Sequence, residues 1–225
     1  MSSVSRHCVI CEKSHSDLCS RCKGVAYCSK ECQKADWAVH KLLYATFANF
    51  DLSKRPSPDH FRGFHIPEEN EKPACIWMKC TINSYPKLDN YSELHSRHEN
   101  PQTGVVNFGV DDMSRALHIS RDQVFGRTLP ATVRIHYSDN CADTAKSNRC
   151  VQKIYKTNPD SVKHDFKGHF LAVGAYENEF GKTQRRDLDM KDFRHVANYF
   201  IAYKPGPNFS NLPNFKHDMP QRNPQ

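Results

Sequence analysis

The apolar positions of this chain follow different patterns in successive stretches. From residue 8 to 28 they come in short clusters between polar loops, and Gly24 permits a turn into Val25-Ala26-Tyr27, a brief β-like segment. Ser29 then stands where a helix cap is wanted, with Cys28 and Cys32 one turn apart on a single face. From Ala35 to Phe50 the apolar residues Trp37, Val39, Leu42, Leu43, Phe47 and Phe50 recur mostly at helical spacing, and no Pro or Gly interrupts the run before Pro56. That spacing predicts a helix whose apolar end docks on the part of the chain that follows.

Residues 51–73 contain RPSPDH and IPEENEKP, whose prolines favour extended connections, so a linker is expected there. Beyond it, strand formers dominate Cys75–Ile82, Gly104–Val110, Thr132–Tyr137, Val151–Tyr155 and His169–Tyr176. Asp187–Tyr203 reads as an amphipathic helix with Met190, Phe193, Val196, Ala197, Phe200 and Ile201 on one side. The Pro- and Asn-rich stretch after Lys204 predicts disorder. The expected organisation is a small module over residues 1–50, a linker over 51–73, an α+β domain over 74–203 and a tail over 204–225. The α+β domain should contain a mostly antiparallel sheet and a late helix.

Composition changes this picture in one place. Six of the ten cysteines fall within the first 32 residues, in a module too small to fold on an apolar core alone; below about 40 residues a fold generally needs metal or disulfides. The leading MSSVSRHCVICEKSHSD has no apolar stretch of signal-peptide type, and no later run approaches transmembrane length. The expectation is an intracellular chain, in nucleus or cytoplasm, with reduced thiols and no membrane segment. The formal charge of +7 invites a nucleic-acid reading, but Lys and Arg are interspersed with Asp and Glu along the chain. That distribution describes a solvated, mildly basic surface, and makes a nucleic-acid-binding regulator the lesser alternative.

The cysteine spacing is C-x2-C-x7-C-x2-C-x5-C-x3-C, then His40 after seven residues and Tyr44 after three more. A C-x2-C turn places two sulfurs close enough to share one tetrahedral zinc. Cys8, Cys11, Cys19, Cys22, Cys28, Cys32 and His40 are the candidate ligands. An eighth is due at Tyr44, one helical turn beyond His40, and a phenol with a pKa of about 10 is a poor ligand beside thiolates. The open outcomes there are a weakly held second metal, a substitute ligand such as His7 or His15, a site stabilised mainly by packing, or a three-ligand zinc carrying a water.

The stretch from Cys8 to Tyr44, with its YCSKECQKADWAVHK run, resembles a MYND-type zinc finger. RPSPDH and EKPACIWMKC are faintly similar to fungal proteins in which such a finger precedes a family-specific domain. The resemblance implies two interleaved zincs: Cys8 and Cys11 sharing one with Cys28 and Cys32, and Cys19 and Cys22 sharing the other with His40 and the eighth position. It also implies a module that binds proline-containing peptides, with Ser20, Gln33 and Trp37 matching the peptide-contacting positions. An indole face packs on proline rings, and a Gln amide can satisfy an extended backbone. The competing reading of Trp37 is inward packing in a small core.

These features favour a non-enzymatic adaptor in a transcriptional or protein-degradation setting. The alternative is an enzyme or pathway-specific accessory protein with a site in residues 74–203. MYND fingers also occur in SET-domain methyltransferases, but nothing after residue 50 resembles the Asn-His motif or Gly-Glu-Glu segment of those enzymes. Gly181-Lys182-Thr183 lacks the glycine that a phosphate loop needs five residues earlier, where Tyr176 stands. His95, His98 and Glu99 read as surface residues of a polar loop, and Cys75, Cys80, Cys141 and Cys150 as core or half-buried thiols.

Overall fold

The computed structural model describes residues 6–14, 16–84, 92–100, 104–106, 114–138, 145–161, 163–177 and 183–204. His15, Cys141, the Gly181-Lys182 pair, residues 107–110 and the tail beyond residue 204 lie outside them.

Ser29 starts helix α1 (Lys30–Ala48) by accepting the Cys32 N–H at 3.2 Å. One unbroken helix therefore carries Cys32, Gln33, Trp37, His40 and Tyr44. Val39, Leu42, Leu43 and Phe47 are buried along it, whereas Trp37 is 45% exposed. Ahead of it, β1 (Asp17–Leu18) and β2 (Ala26–Tyr27) form a two-stranded antiparallel ribbon. The left-handed residue of the intervening turn is Lys23, at φ 54°, and not Gly24. Gly24 is needed for clearance: a Cβ there would stand 2.2 Å from Phe47 Cε1 and 2.9 Å from Met190 Cγ.

Among the described residues the body is an eight-stranded antiparallel sheet in the order β6-β5-β4-β3-β9-β8-β7, with β10 joining β9. Its strands are β3 (His60–Ile66), β4 (Ala74–Ser84), β5 (Ser92–Asn100), β6 (Gly104–Val106), β7 (Ser114–Asp122), β8 (Arg127–Ser138), β9 (Phe170–Glu177) and β10 (Thr183–Arg186). The late helix is α3 (Met190–Ala202), capped by a reciprocal Asp189–Asp192 box, and its buried face holds the six apolar residues that the periodicity selects.

Three sequence expectations change. Residues 60–66, inside the expected linker, form the central strand β3, because prolines 56, 58 and 67 bracket HFRGFHI without breaking it, and Phe64 and Ile66 are fully buried. Val151–Tyr155 lies in helix α2 (Arg149–Tyr155) and not in a strand. Asn148 caps that helix by accepting the Val151 N–H at 2.8 Å, and the buried Cys150, Val151, Ile154 and Tyr155 follow helical spacing. His95, His98 and Glu99 lie on strand β5, with His95 opposite Thr81 and His98 opposite Met78, and not in a loop.

Alternation along β9 places the two faces. Phe170 and Ala172 join the main core with Phe64, Ile66, Val133 and Ile135, while Leu171 and Val173 pack with Ile76, Met78 and Cys80 on the other side. The main core does not stop at the sheet. It continues through Phe193, Val196 and Phe200 of α3 to Leu43, Phe47, Val25 and Val9 of the N-terminal module, so both regions share one apolar interior. Arg62 stitches the same junction: its guanidinium lies 4.2 Å from the Phe47 ring centroid, and its Nε donates to the Leu188 carbonyl at 2.7 Å.

A buried polar network fixes α3 against the β7–β8 turn. Asp122, 1% exposed, accepts from His195 Nδ1 at 2.6 Å, Asn198 Nδ2 at 2.9 Å and the Phe125 N–H at 2.9 Å. Burial would raise this carboxyl, but the donors from His195, Phe125 and Asn198 hold it below its ordinary value. Its contribution to stability is therefore complete above about pH 4 and is lost as pH falls through the depressed folded-state value.

Two consequences are measurable by urea denaturation. Asp122→Ala should cost about 3–5 kcal/mol at pH 7, and its difference from wild type should shrink on acidification below about pH 4. Gly24→Ala should cost about 1–3 kcal/mol by forcing Phe47 and Met190 apart, with loss of the module's protection in hydrogen exchange.

Candidate metal centre

Two C-x2-C knuckles present the first four thiols, and each closes by the same backbone device. The N–H of the residue after the second cysteine donates to the carbonyl of the first: Glu12 to Cys8 at 2.9 Å, Lys23 to Cys19 at 3.0 Å. Both residues adopt left-handed backbone, at φ 60° and 54°. Neither is the glycine that usually marks that conformation, so sequence gives no sign of it.

Cys8 and Cys11 meet Cys28, which precedes the α1 cap, and Cys32 in its first turn. The four sulfurs lie within 4.8 Å of one another, with Cys11–Cys28 at 3.4 Å, Cys28–Cys32 at 3.6 Å and Cys32–Cys11 at 4.0 Å. A tetrahedral zinc with sulfurs at about 2.3 Å needs sulfur–sulfur edges of about 3.8 Å, which these distances straddle. The thiols cannot ionise together without a cation. Burial works against the Cys8 thiolate, yet backbone N–H groups of Cys11, Cys28 and Ile10 bring it down to about 7, while its neighbours Cys11 and Cys32 push Cys28 up to about 12. A divalent metal resolves that conflict by taking all four as thiolates.

The second cluster is Cys19, Cys22 and His40, all buried. His40 Nε2 faces the sulfurs at 3.9 and 3.7 Å, so Nδ1 carries the proton away from the metal position. Behind it runs a relay that orients the ring. His40 Nδ1 meets the Tyr27 hydroxyl at 2.8 Å, that hydroxyl donates to Asp36 Oδ2 at 2.5 Å, and Arg194 of α3 donates to Asp36 Oδ1 at 3.1 Å. The donor types and spacings of both clusters fit zinc, and the two sites are consistent with two zinc ions.

Tyr44, at the eighth position, stands one turn beyond His40 on α1. Its hydroxyl accepts Arg21 Nη1 at 2.8 Å in an exposed pair. His7 lies outside the cluster, with its Nδ1 paired to the Glu12 carbonyl at 3.0 Å beside the first knuckle. Gln33 Nε2 donates to Cys19 Sγ at 3.9 Å, which sets it next to exposed Ser20, and Trp37 follows one turn along. The three expected peptide-contacting residues thus gather beside the second cluster. Trp37 is not core: its indole stacks on the His40 ring at 5.7 Å and 24° and stays exposed.

Sequence reasoning missed Tyr27, Asp36 and Arg194. Asp36 stands four residues before His40 on the helix, which was the available signal; Arg194, 158 positions further on, gave none. Elsewhere, Cys75 and Cys150 are pushed up to about 12 by burial, which marks inert core thiols. A cavity of about 250 Å³ at the start of α3 is lined by residues including Arg186, Asp189, Asp192 and His195. Arg186 is bidentate on Asp192 at 2.7 Å and His195 Nδ1 is held by Asp122, while His195 Nε2 is buried with no hydrogen-bond partner among the described residues and Lys191 completes the charged lining.

Residues 8–43 match the MYND finger family, a known protein–protein interaction module. Among curated proteins, the chain is 41% identical over 93 residues to N-lysine methyltransferase SMYD2 of Gallus gallus, covering 37% of this chain and 21% of the relative. It is 44% identical over 54 residues to ubiquitin carboxyl-terminal hydrolase 19 of Arabidopsis thaliana, covering 24% and 8%. It is 51% identical over 41 residues to SET domain and MYND-type zinc finger protein 6 of Schizosaccharomyces pombe, covering 17% and 8%. The chain thus spans about a fifth or less of the length of these relatives, and the likeness is a partial one over the MYND region. No solved structure matches it.

The relay predicts a selective effect. Asp36→Asn should weaken the second zinc roughly 10–100-fold while the first is retained, read by competition with a chromophoric chelator. Two zincs held with wild-type affinity would show that the relay does not tune the site.

Proposed function

We propose that this protein is an adaptor that captures proline-containing segments of a protein partner on the Ser20, Gln33 and Trp37 surface of its zinc finger. The observation that carries this reading is Trp37. An indole that is 45% exposed and yet fixed by stacking on the zinc-ligating His40 is a rigid aromatic anchor. Such a group loses little freedom on binding, and anchors of this type dominate interface energies. Gln33, already oriented by its bond to Cys19, offers an amide carbonyl to an extended backbone alongside.

The setting we infer is an intracellular regulatory complex, nuclear or cytoplasmic, in transcription or protein degradation. The relatives named for lysine methylation and for ubiquitin hydrolysis support that setting, since they pair a similar region with much longer chains. Here the finger is joined to an α+β body, and among the described residues no helix is long and apolar enough to cross a membrane. A small-molecule role for the body would instead use the cavity beside His195.

The test compares wild type with Trp37→Ala in affinity capture from native cells and in titration with proline-containing peptides. The variant should keep both zincs and its melting temperature, lose a specific subset of partners, and bind peptide at least about thirtyfold more weakly. Identical partner sets for the two baits would sink the proposal and make the finger a structural staple.

A further inference from the structure

The two metal clusters of this chain are unequal. The first offers four sulfurs, the second only Cys19, Cys22 and His40; among the described residues no further Cys, His, Asp or Glu joins them. Tyr44 stands one turn beyond His40, where the fourth donor is due, but a phenol oxygen sits a full ring beyond Cβ, whereas a cysteine sulfur is bonded to Cβ directly. A tyrosine on this backbone overshoots the place of a cysteine. Its ring packs 5.8 Å from His40 and 6.1 Å from Trp37, and its hydroxyl is taken by Arg21 on the exposed side.

The charge around this position has a definite sign. Two thiolates and a neutral imidazole leave a divalent zinc with no net charge, and the Arg21 guanidinium lies 5.9 Å from the Tyr44 ring centroid. The guanidinium would offset the single negative charge that an added anion brings, and thiolate is the anionic donor that zinc accepts best among common small ligands.

We propose that the second zinc is held by three protein ligands and keeps an exchangeable fourth position, beneath the Trp37–Tyr44–Arg21 face, that accepts a small monodentate thiolate. The buried relay through Tyr27 and Asp36 makes such a site sustainable, because it fixes His40 without help from a fourth ligand. The Trp37 and Tyr44 rings pack beside each other and beside His40 on that side, which suits a small donor.

Cobalt-loaded full-length protein tests this, since the four-sulfur site is common to all variants and differences in the visible spectrum report the second site. Wild type should bind two metals per chain. β-Mercaptoethanol, at concentrations that leave the metal count unchanged, should shift its d–d bands and increase its sulfur charge-transfer absorption to saturation. Tyr44→Phe should give the same spectrum and the same response. Tyr44→Cys should already show the shifted spectrum, ignore added thiol, and release its second zinc to a chelator roughly tenfold or more slowly. A changed spectrum in Tyr44→Phe would make the phenol a ligand and overturn the proposal. So would a single bound metal, or a wild-type spectrum indifferent to thiol, which would mean that another protein group closes the site. If Tyr44→Cys fails to fold, the wild-type titration and the Tyr44→Phe spectrum still decide.

Discussion

Asp36 is the junction on which the arrangement depends. Its carboxylate is 2% exposed, and an unpaired charge at that depth would cost several kcal/mol. It is tolerable because Tyr27 and Arg194 satisfy its two oxygens, and each tie has a consequence. Through Tyr27 it fixes the tautomer and angle of His40, hence the geometry of the second zinc. Through Arg194 it requires α3 to lie against α1, because removing the body would strip the carboxylate of its counter-charge. Metal coordination and domain packing are thereby parts of one electrostatic arrangement, laid over a shared apolar core that runs from Val9 to Phe200.

This coupling explains why the finger is not a detachable bead. An isolated module of its size would rest almost wholly on metal. Here Phe47 reaches under Gly24 toward Met190, Arg62 of β3 lies over the Phe47 ring, and Arg127 of β8 donates to the Val9 carbonyl at 2.5 Å. The body holds the finger's inner side, leaving the opposite side of α1, with Trp37 on it, free for other contacts. An aromatic anchored this way differs from one on a mobile loop, since its orientation is set by the metal ligand beneath it.

How much of this was legible depended on whether the signal was local. The seven ligands were readable because metal binding demands particular residue types at short spacings, and α3 because its apolar stripe has one period throughout. β3 is hidden because the surrounding prolines read as a linker, whereas they merely bracket a strand. α2 was missed because Val151, Ile154 and Tyr155 favour strand, while the cap at Asn148 decided for helix. β5, β7 and β10 carry too many polar side chains to announce themselves by alternation. The relay from His40 to Arg194 was invisible for a different reason: it is created by tertiary packing, which one sequence does not display.

Tyr44 shows most clearly what structure adds to such a reading. As a letter in the sequence it is a missing ligand, and several completions are compatible with it. In the fold it is a phenol claimed by Arg21, packed beside Trp37 and His40, while the second cluster gains its rigidity from behind, through Tyr27 and Asp36. Support for the second cluster thus comes from the buried side of His40. The exposed side, relieved of that structural duty, carries the aromatic and basic groups that suit recognition. The buried carboxylate at Asp36 thus lets the second cluster be held from within while its outer side furnishes a surface.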